Sequence, residues 1–140
     1  MKLLSRPKST LRPKSPQRPR KLKALIIDDE IDVCWLLGNL LNRKNVDWSY
    51  AVSLTEADKL LQPESPPSIV FIDNHLPDGL GVNYIMKLKK EYPLTLIVMM
   101  TGHDNDSYRK EAFTAGVDYF TSKPFSSEFI NNTLDQLIGK

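Results

Sequence analysis

Two observations predict an α/β fold built on a largely parallel sheet. From Lys23 onward, short apolar runs alternate with segments whose apolar residues recur at helical spacing. The alternation is regular, strand then helix five times over, and that order places helices on both faces of one sheet. The first run, residues 24–27, stops at Asp28; Val33, Leu36, Leu37, Leu40 and Leu41 then mark a helix. Residues 48–52 read as a weaker strand. Ser53, with Glu56 three positions on, has the pattern of a capping box opening a helix to about Leu61. A loop with three prolines covers residues 62–68, and a strand covers 69–72. Val82, Ile85, Met86 and Leu88 mark a helix over 82–92, and residues 94–100 form the most apolar strand. A helix over 107–115 ends at Gly116, a last strand spans 117–121 and a last helix 127–138. Right-handed crossovers leave the flavodoxin-like, doubly wound (βα)5 arrangement, with sheet order 2-1-3-4-5.

Charge divides the chain into two physically different parts. Residues 1–23 hold nine of the 19 Lys and Arg, no acid, and Pro7, Pro13, Pro16 and Pro19. The remainder holds ten basic and all 17 acidic residues, a net of −7. The first part cannot bury enough apolar surface to offset the entropy of ordering. Residues 1–22 are therefore expected to be a disordered basic tail and 23–140 one folded domain. A single cysteine excludes an intramolecular disulfide or a thiolate cluster. No apolar run approaches the roughly 20 residues of a membrane span, and the N-terminus lacks the apolar core of a secretory signal. A cytoplasmic location is expected.

In this topology ligands bind at the carboxyl ends of the strands, where the winding reverses between strands 1 and 3. Strand 1 ends in Asp28-Asp29-Glu30, strand 3 in Asp73, strand 4 in Thr101-Gly102 and strand 5 in Thr121-Ser122-Lys123-Pro124. Helix capping is an alternative role for Asp28 or Asp29, a turn for Asp73, and a solvated surface position for Lys123. Yet the fold gathers all of them on one rim. Two carboxylates about 4 Å apart repel by roughly 4 kcal/mol at an effective dielectric of about 20. The acidic trio therefore calls for a cation, and its hard oxygens suit Mg²⁺, which keeps waters and recruits phosphate oxygens.

Four segments, IIDDE (26–30), FIDNHLPDGLG (71–81), VMMTG (98–102) and DYFTSKPF (118–125), carry a resemblance. In that order, at the ends of those strands, they resemble the receiver domain of two-component response regulators. The resemblance spans about residues 23–139, and a single-domain regulator is expected. It implies a phosphoacceptor signalling protein rather than an enzyme, one that assists its own phosphorylation and dephosphorylation. Asp73 would take a phosphoryl group from a sensor histidine kinase or phosphotransfer protein. Asp29 and Asp73 would ligate Mg²⁺ directly, Asp28 through water, and the backbone carbonyl of His75 would complete the protein ligands. Lys123 and Thr101 would hold two of the three equatorial oxygens, with the Lys123–Pro124 peptide in the cis form.

The resemblance also implies a switch, in which Thr101 and Phe120 move together, although an aromatic on a last strand also reads as core. Output would then run through the face of helix 4, strand 5 and helix 5, including Tyr108, Ala112, Tyr119 and Phe120, toward an unknown protein or a second copy of the chain. His75 and His103, two residues beyond Asp73 and Thr101, are the two histidines of the chain. Both should flank the phosphoryl group, where imidazole, which changes charge near neutral pH, would affect its lifetime; two solvated loop histidines without kinetic effect are the alternative. A zinc site from His75, His103 and Asp73 would compete with the Mg²⁺ chemistry. Cys34, Trp35, Met99 and Met100 read as core. Two other functions remain open from sequence: a receiver-like adaptor that acts without phosphorylation, and a tail that binds nucleic acid or anionic membrane. Against nucleic acid, the tail lacks an aromatic for base stacking.

Overall fold

The computed structural model describes residues 21–102 and 105–138. His103 and nearly all of the expected tail lie outside the described residues. Five strands, β1 (Lys23–Ile27), β2 (Asp47–Ala51), β3 (Ile69–Asp73), β6 (Leu96–Thr101) and β7 (Tyr119–Ser122), form one parallel sheet. A short antiparallel hairpin, β4 (His75–Leu76) with β5 (Gly79–Leu80), follows β3. The sheet order β2-β1-β3-β6-β7 is the expected 2-1-3-4-5 once the hairpin is set aside. The helices are α1 (Ile31–Arg43), α2 (Leu54–Leu60), α3 (Gly81–Glu91), α4 (Asp106–Ala115) and α5 (Ser127–Ile138).

Alternate residues of each strand feed two cores. Ile26, Phe71, Val98 and Met100 pack with Cys34, Leu37 and Leu41 of α1 and Ile130 and Leu134 of α5. Leu25, Ile27, Val70, Ile72, Ile97 and Met99 pack with Ala57 of α2, Ile85 and Leu88 of α3, and Ala112 of α4. Strands buried on both faces need the near-continuous apolar runs that the sequence shows. Fully burying one such Leu, Ile or Phe side chain stabilises by about 1.5–3 kcal/mol.

Several boundaries differ from expectation for identifiable reasons. β6 starts at Leu96 instead of residue 94, because a turn closed by Thr95 N–H to Tyr92 O takes up Pro93 and Leu94. Leu94 is left 94% exposed. β7 starts at Tyr119 instead of 117. The left-handed Gly116 (φ 116) ends α4, and Val117 N–H turns back to Ala112 O. The box at Ser53 is half reciprocal: Ser53 Oγ accepts from Glu56 N–H at 3.1 Å, but Glu56 reaches Val52 N–H at 3.2 Å, one residue before the cap. Trp35 is not core as expected but 52% exposed. On α1 it lies about 100° around from Cys34, toward the β2 edge instead of the sheet face.

Candidate functional site

β1 and β3 run side by side, with Ile27 opposite Ile72, so Asp28, Asp29 and Asp73 emerge together at one end of the sheet. Each can offer an oxygen such that the three lie within 4.8 Å of one another. β6 and β7 end beside them, with Thr101 opposite Ser122 and Lys123 N–H donating to Thr101 O at 2.9 Å. The Lys123–Pro124 peptide is cis. Lys123 Nζ stands 2.7 Å from Asp28 Oδ2, 2.7 Å from Glu30 Oε1 and 3.7 Å from Asp73 Oδ2. A cleft of about 550 Å³ opens over this group, lined by Asp29, Glu30, Asp73, His75, Gly102 and Lys123.

Capping does not account for these acids. The N-cap of α1 is Glu30, without a side-chain cap bond, and Asp28 Oδ1 accepts from the Glu30 N–H itself at 2.9 Å. Asp73 is paired in the strand opposite Met100, and its Oδ1 accepts from Asn74 N–H at 2.9 Å. Asp28 is fully buried and Asp73 is 7% exposed. Burial pushes the Asp73 carboxyl up to about 6; Lys123 opposes this and Asp28 adds to it. Burial also raises Asp28, outweighing Lys123 and the Glu30 N–H. Lys123 is raised in turn, because the Asp28 and Glu30 carboxylates beside it overcome the cost of its own burial.

The donor set fits a divalent cation. Asp28 Oδ2 is buried, and although it lies 2.7 Å from Nζ it makes no hydrogen bond of normal geometry. One lysine therefore leaves carboxylate capacity unspent, and hard oxygens of this kind suit Mg²⁺.

Residues that the sequence did not single out position the site. Asn74, 2% exposed, accepts from Val82 N–H through Oδ1 at 2.9 Å and from Gly81 N–H through its carbonyl at 2.7 Å. Those bonds tie the loop after Asp73 to the start of α3. A Cβ at Gly81 would overlap the Asp73 carbonyl oxygen, so α3 approaches that closely only because residue 81 is glycine. Asp78, in the hairpin turn, accepts from Leu54 N–H, Thr55 N–H and Thr55 Oγ1 at the start of α2. These bonds lower its carboxyl below the usual range. Glu30 steadies Lys123 from outside. The lone sequence hint of all this was the density of Asn, Asp and Gly in residues 73–81.

The output residues fall in two groups. Ala112 (fully buried) is not part of an outer surface as expected, and Phe120 (7% exposed) takes its alternative place in the core. Ala112 faces the sheet from α4, and Phe120 carries the Arg109 guanidinium 4.7 Å above its ring. Tyr108 is partly buried and meets the His75 ring edge-on at 5.7 Å, while Phe113 is 49% exposed. Thr101 is buried.

A doubly wound sheet whose switch point carries three carboxylates, a lysine and a threonine defines a receiver-like class of α/β fold. The model of the response regulator receiver domain matches residues 24–135, and the chain belongs to that family. It is 35% identical over 102 residues to the response regulator protein PilR of Pseudomonas aeruginosa, covering 73% of this chain and 23% of PilR. The chain thus spans about a quarter of that relative's length. The beryllofluoride-activated NtrC4 receiver domain dimer superposes with a TM-score of 0.76 at 30% identity, covering 82% of this chain and 94% of that one. A Burkholderia pseudomallei response regulator with a phosphorylated aspartic acid and a calcium ion gives 0.75 at 26% identity, covering 81% and 66%. Receiver domains are signalling modules and are not generally classed as enzymes. Among the described residues no helix is long and apolar enough to cross a membrane.

Proposed function

We propose that Asp73 accepts a phosphoryl group from the phosphohistidine of a sensor histidine kinase or phosphotransfer protein, and that the modified domain then engages an output partner. The observation that carries this reading is the meeting of Asp28, Asp29 and Asp73 within 4.8 Å, beside Lys123, at the ends of β1 and β3. The phosphorylated aspartic acid in the Burkholderia relative supports it. Asp29, Asp73 and the His75 carbonyl would hold Mg²⁺, with Asp28 acting through water. Bound there, the cation would supply positive charge against these carboxylates and the incoming phosphate.

An Asp73 oxygen forms the new bond to phosphorus as the bond to the donor imidazole nitrogen breaks, and that nitrogen keeps the electron pair. Lys123 has three N–H directions. Two face Asp28 and Glu30, and the third serves a phosphoryl oxygen. The Thr101 hydroxyl holds another, which couples the modification to β6 and, through Phe120, to the α4–β7–α5 face. The side chain of His75 lines the cleft and affects how water reaches the acyl phosphate; His103 is assigned the same role.

Incubation with acetyl phosphate and Mg²⁺, followed by peptide mass spectrometry, tests the assignment. One phosphoryl group is expected on Asp73, absent in Asp73→Asn and strongly reduced in Asp29→Asn. Label persisting in Asp73→Asn would sink it. His75→Ala should stay phosphorylatable but change the rate of phosphate loss; an unchanged rate would show His75 to be a bystander.

A further inference from the structure

On the side of the molecule away from α4, α1 presents Ile31, Trp35, Gly38 and Asn42 at helical spacing toward the edge strand β2. Trp48 of β2 lies on Gly38, where any Cβ would overlap its ring, and its Nε1–H donates to Asn42 Oδ1 at 3.0 Å. Trp35 meets Trp48 edge-on at 5.3 Å, and Tyr50 stands 6.3 Å from both rings. The result is a row of three aromatics. The outermost, Trp35, is 52% exposed, and Ile31 above it is 49% exposed. Sealing a sheet edge accounts for Trp48 and Tyr50. It does not account for a half-bare indole lying over them.

The chain enters the fold beside this row. Lys21 Nζ pairs with Asp47 Oδ1 at 3.2 Å, and Leu22 O accepts from Asp47 N–H at 3.0 Å, one residue before Trp48. Leu22 packs on the same side of the sheet as Trp48 and Tyr50. The sequence leading to Lys21 reads PKSPQRPR, with Pro13, Pro16 and Pro19 three apart and Arg or Lys at 12, 14, 18 and 20. A polyproline II segment has three residues per turn, so prolines at this spacing would share one ridge in that form. Aromatic-lined surfaces bind such ridges, and the faces of indole rings also attract guanidinium groups.

We propose that residues 12–20 of the chain itself dock as a polyproline ridge on the Trp35–Trp48–Tyr50 face. Pro19 is two residues from Lys21, and each extended residue adds about 3.1 Å, so the ridge reaches the rings without a long loop. The net −7 of residues 24–140 opposes the net +9 of residues 1–23, which favours this occupant over a neutral proline-rich partner. A short tether also sets an effective concentration in the millimolar range, so even a millimolar contact would be about half occupied.

Both tryptophans of the chain lie in this face, so intrinsic fluorescence of the full chain reports on it directly. Acrylamide quenching is to be compared between the parent chain and a Pro13→Ala, Pro16→Ala, Pro19→Ala variant, with the two indole N–H resonances followed by NMR. The replacements leave every described strand and helix residue unchanged, and far-ultraviolet circular dichroism of both proteins confirms that the fold is kept. Quenching in the variant is expected to rise by about one and a half to twofold, in line with half occupancy in the parent. The Trp35 N–H should shift more than that of Trp48, which Asn42 holds in both proteins. The difference should be independent of protein concentration. Identical quenching and identical indole shifts would overturn the proposal. A difference that grows with concentration would also overturn it, by assigning the face to the segment of a second copy.

Discussion

Asp73 combines burial with two acidic neighbours, and its carboxyl is pushed up to about 6. Ionising it therefore costs more in the folded chain than in the unfolded one, where an aspartate titrates at about 3.9. Because the native state holds its proton longer, this residue lowers stability as pH rises from about 4 to about 6, and the whole cost is present above that. With a chelator present, Asp73→Asn should be more stable than the parent by roughly 3 kcal/mol at about pH 7.5, and the gap should close toward about pH 4. Urea unfolding at both pH values checks this. A gap that does not vary with pH would show that the Asp73 charge is not held at a cost. The same charge that weakens the fold is what a nucleophile for phosphorus needs.

At the scale of elements, two ties hold the loops that carry the site. Gly81→Ala would force the start of α3 away from the Asp73 carbonyl. It should cost about 1–3 kcal/mol, as overpacking does, and slow labelling of Asp73 more than a comparable loss of stability elsewhere. Labelling at the parental rate would mean that α3 does not position the acceptor. The second tie joins α2 to α3, where Tyr84 Oη–H donates to Asp58 Oδ1 at 2.6 Å. Tyr84 is 6% exposed, so Tyr84→Phe should cost about 1 kcal/mol. Burial tends to raise Asp58, but the Tyr84 and Lys87 bonds overcome it and hold its carboxyl below the usual value. The contribution is therefore present above an ordinary aspartate value and lost as pH falls through the depressed one. The Tyr84→Phe deficit, measured by chemical unfolding, should shrink on acidification.

For the whole molecule, a cation held by the acidic end of the sheet would make folding and cation binding one equilibrium. A ligand that binds the native state alone stabilises by about 2.7 kcal/mol at 100 times its dissociation constant. Mg²⁺ should thus raise the melting temperature of the parent chain, and Asp29→Asn should lose most of that rise. A shift of equal size in both proteins would place the ion away from Asp29. Tight binding also closes the gap between parent and Asp73→Asn, since the cation offsets the charge whose burial is costly.

The order of strands and helices, the two cores and the carboxyl-end residues Asp28, Asp29, Asp73, Thr101 and Lys123 were legible in the sequence. Burial on both faces writes continuous apolar runs into a parallel strand, and a doubly wound sheet gathers the ends of those runs at one place. Single-residue periodicity carried less. It put Trp35 in the core, because spacing along one helix does not say which neighbour lies over it, while the family resemblance, not periodicity, put Ala112 on the output face. The Asn74 and Asp78 hydrogen bonds and the Glu30–Lys123 pair join positions far apart in the chain or depend on loop backbone, and neither pattern nor propensity encodes them. The tertiary structure alone decided those contacts, the close approach at Gly81 and the aromatic row beside Lys21. Each is a distance between separate elements, fixed only when the two cores have packed.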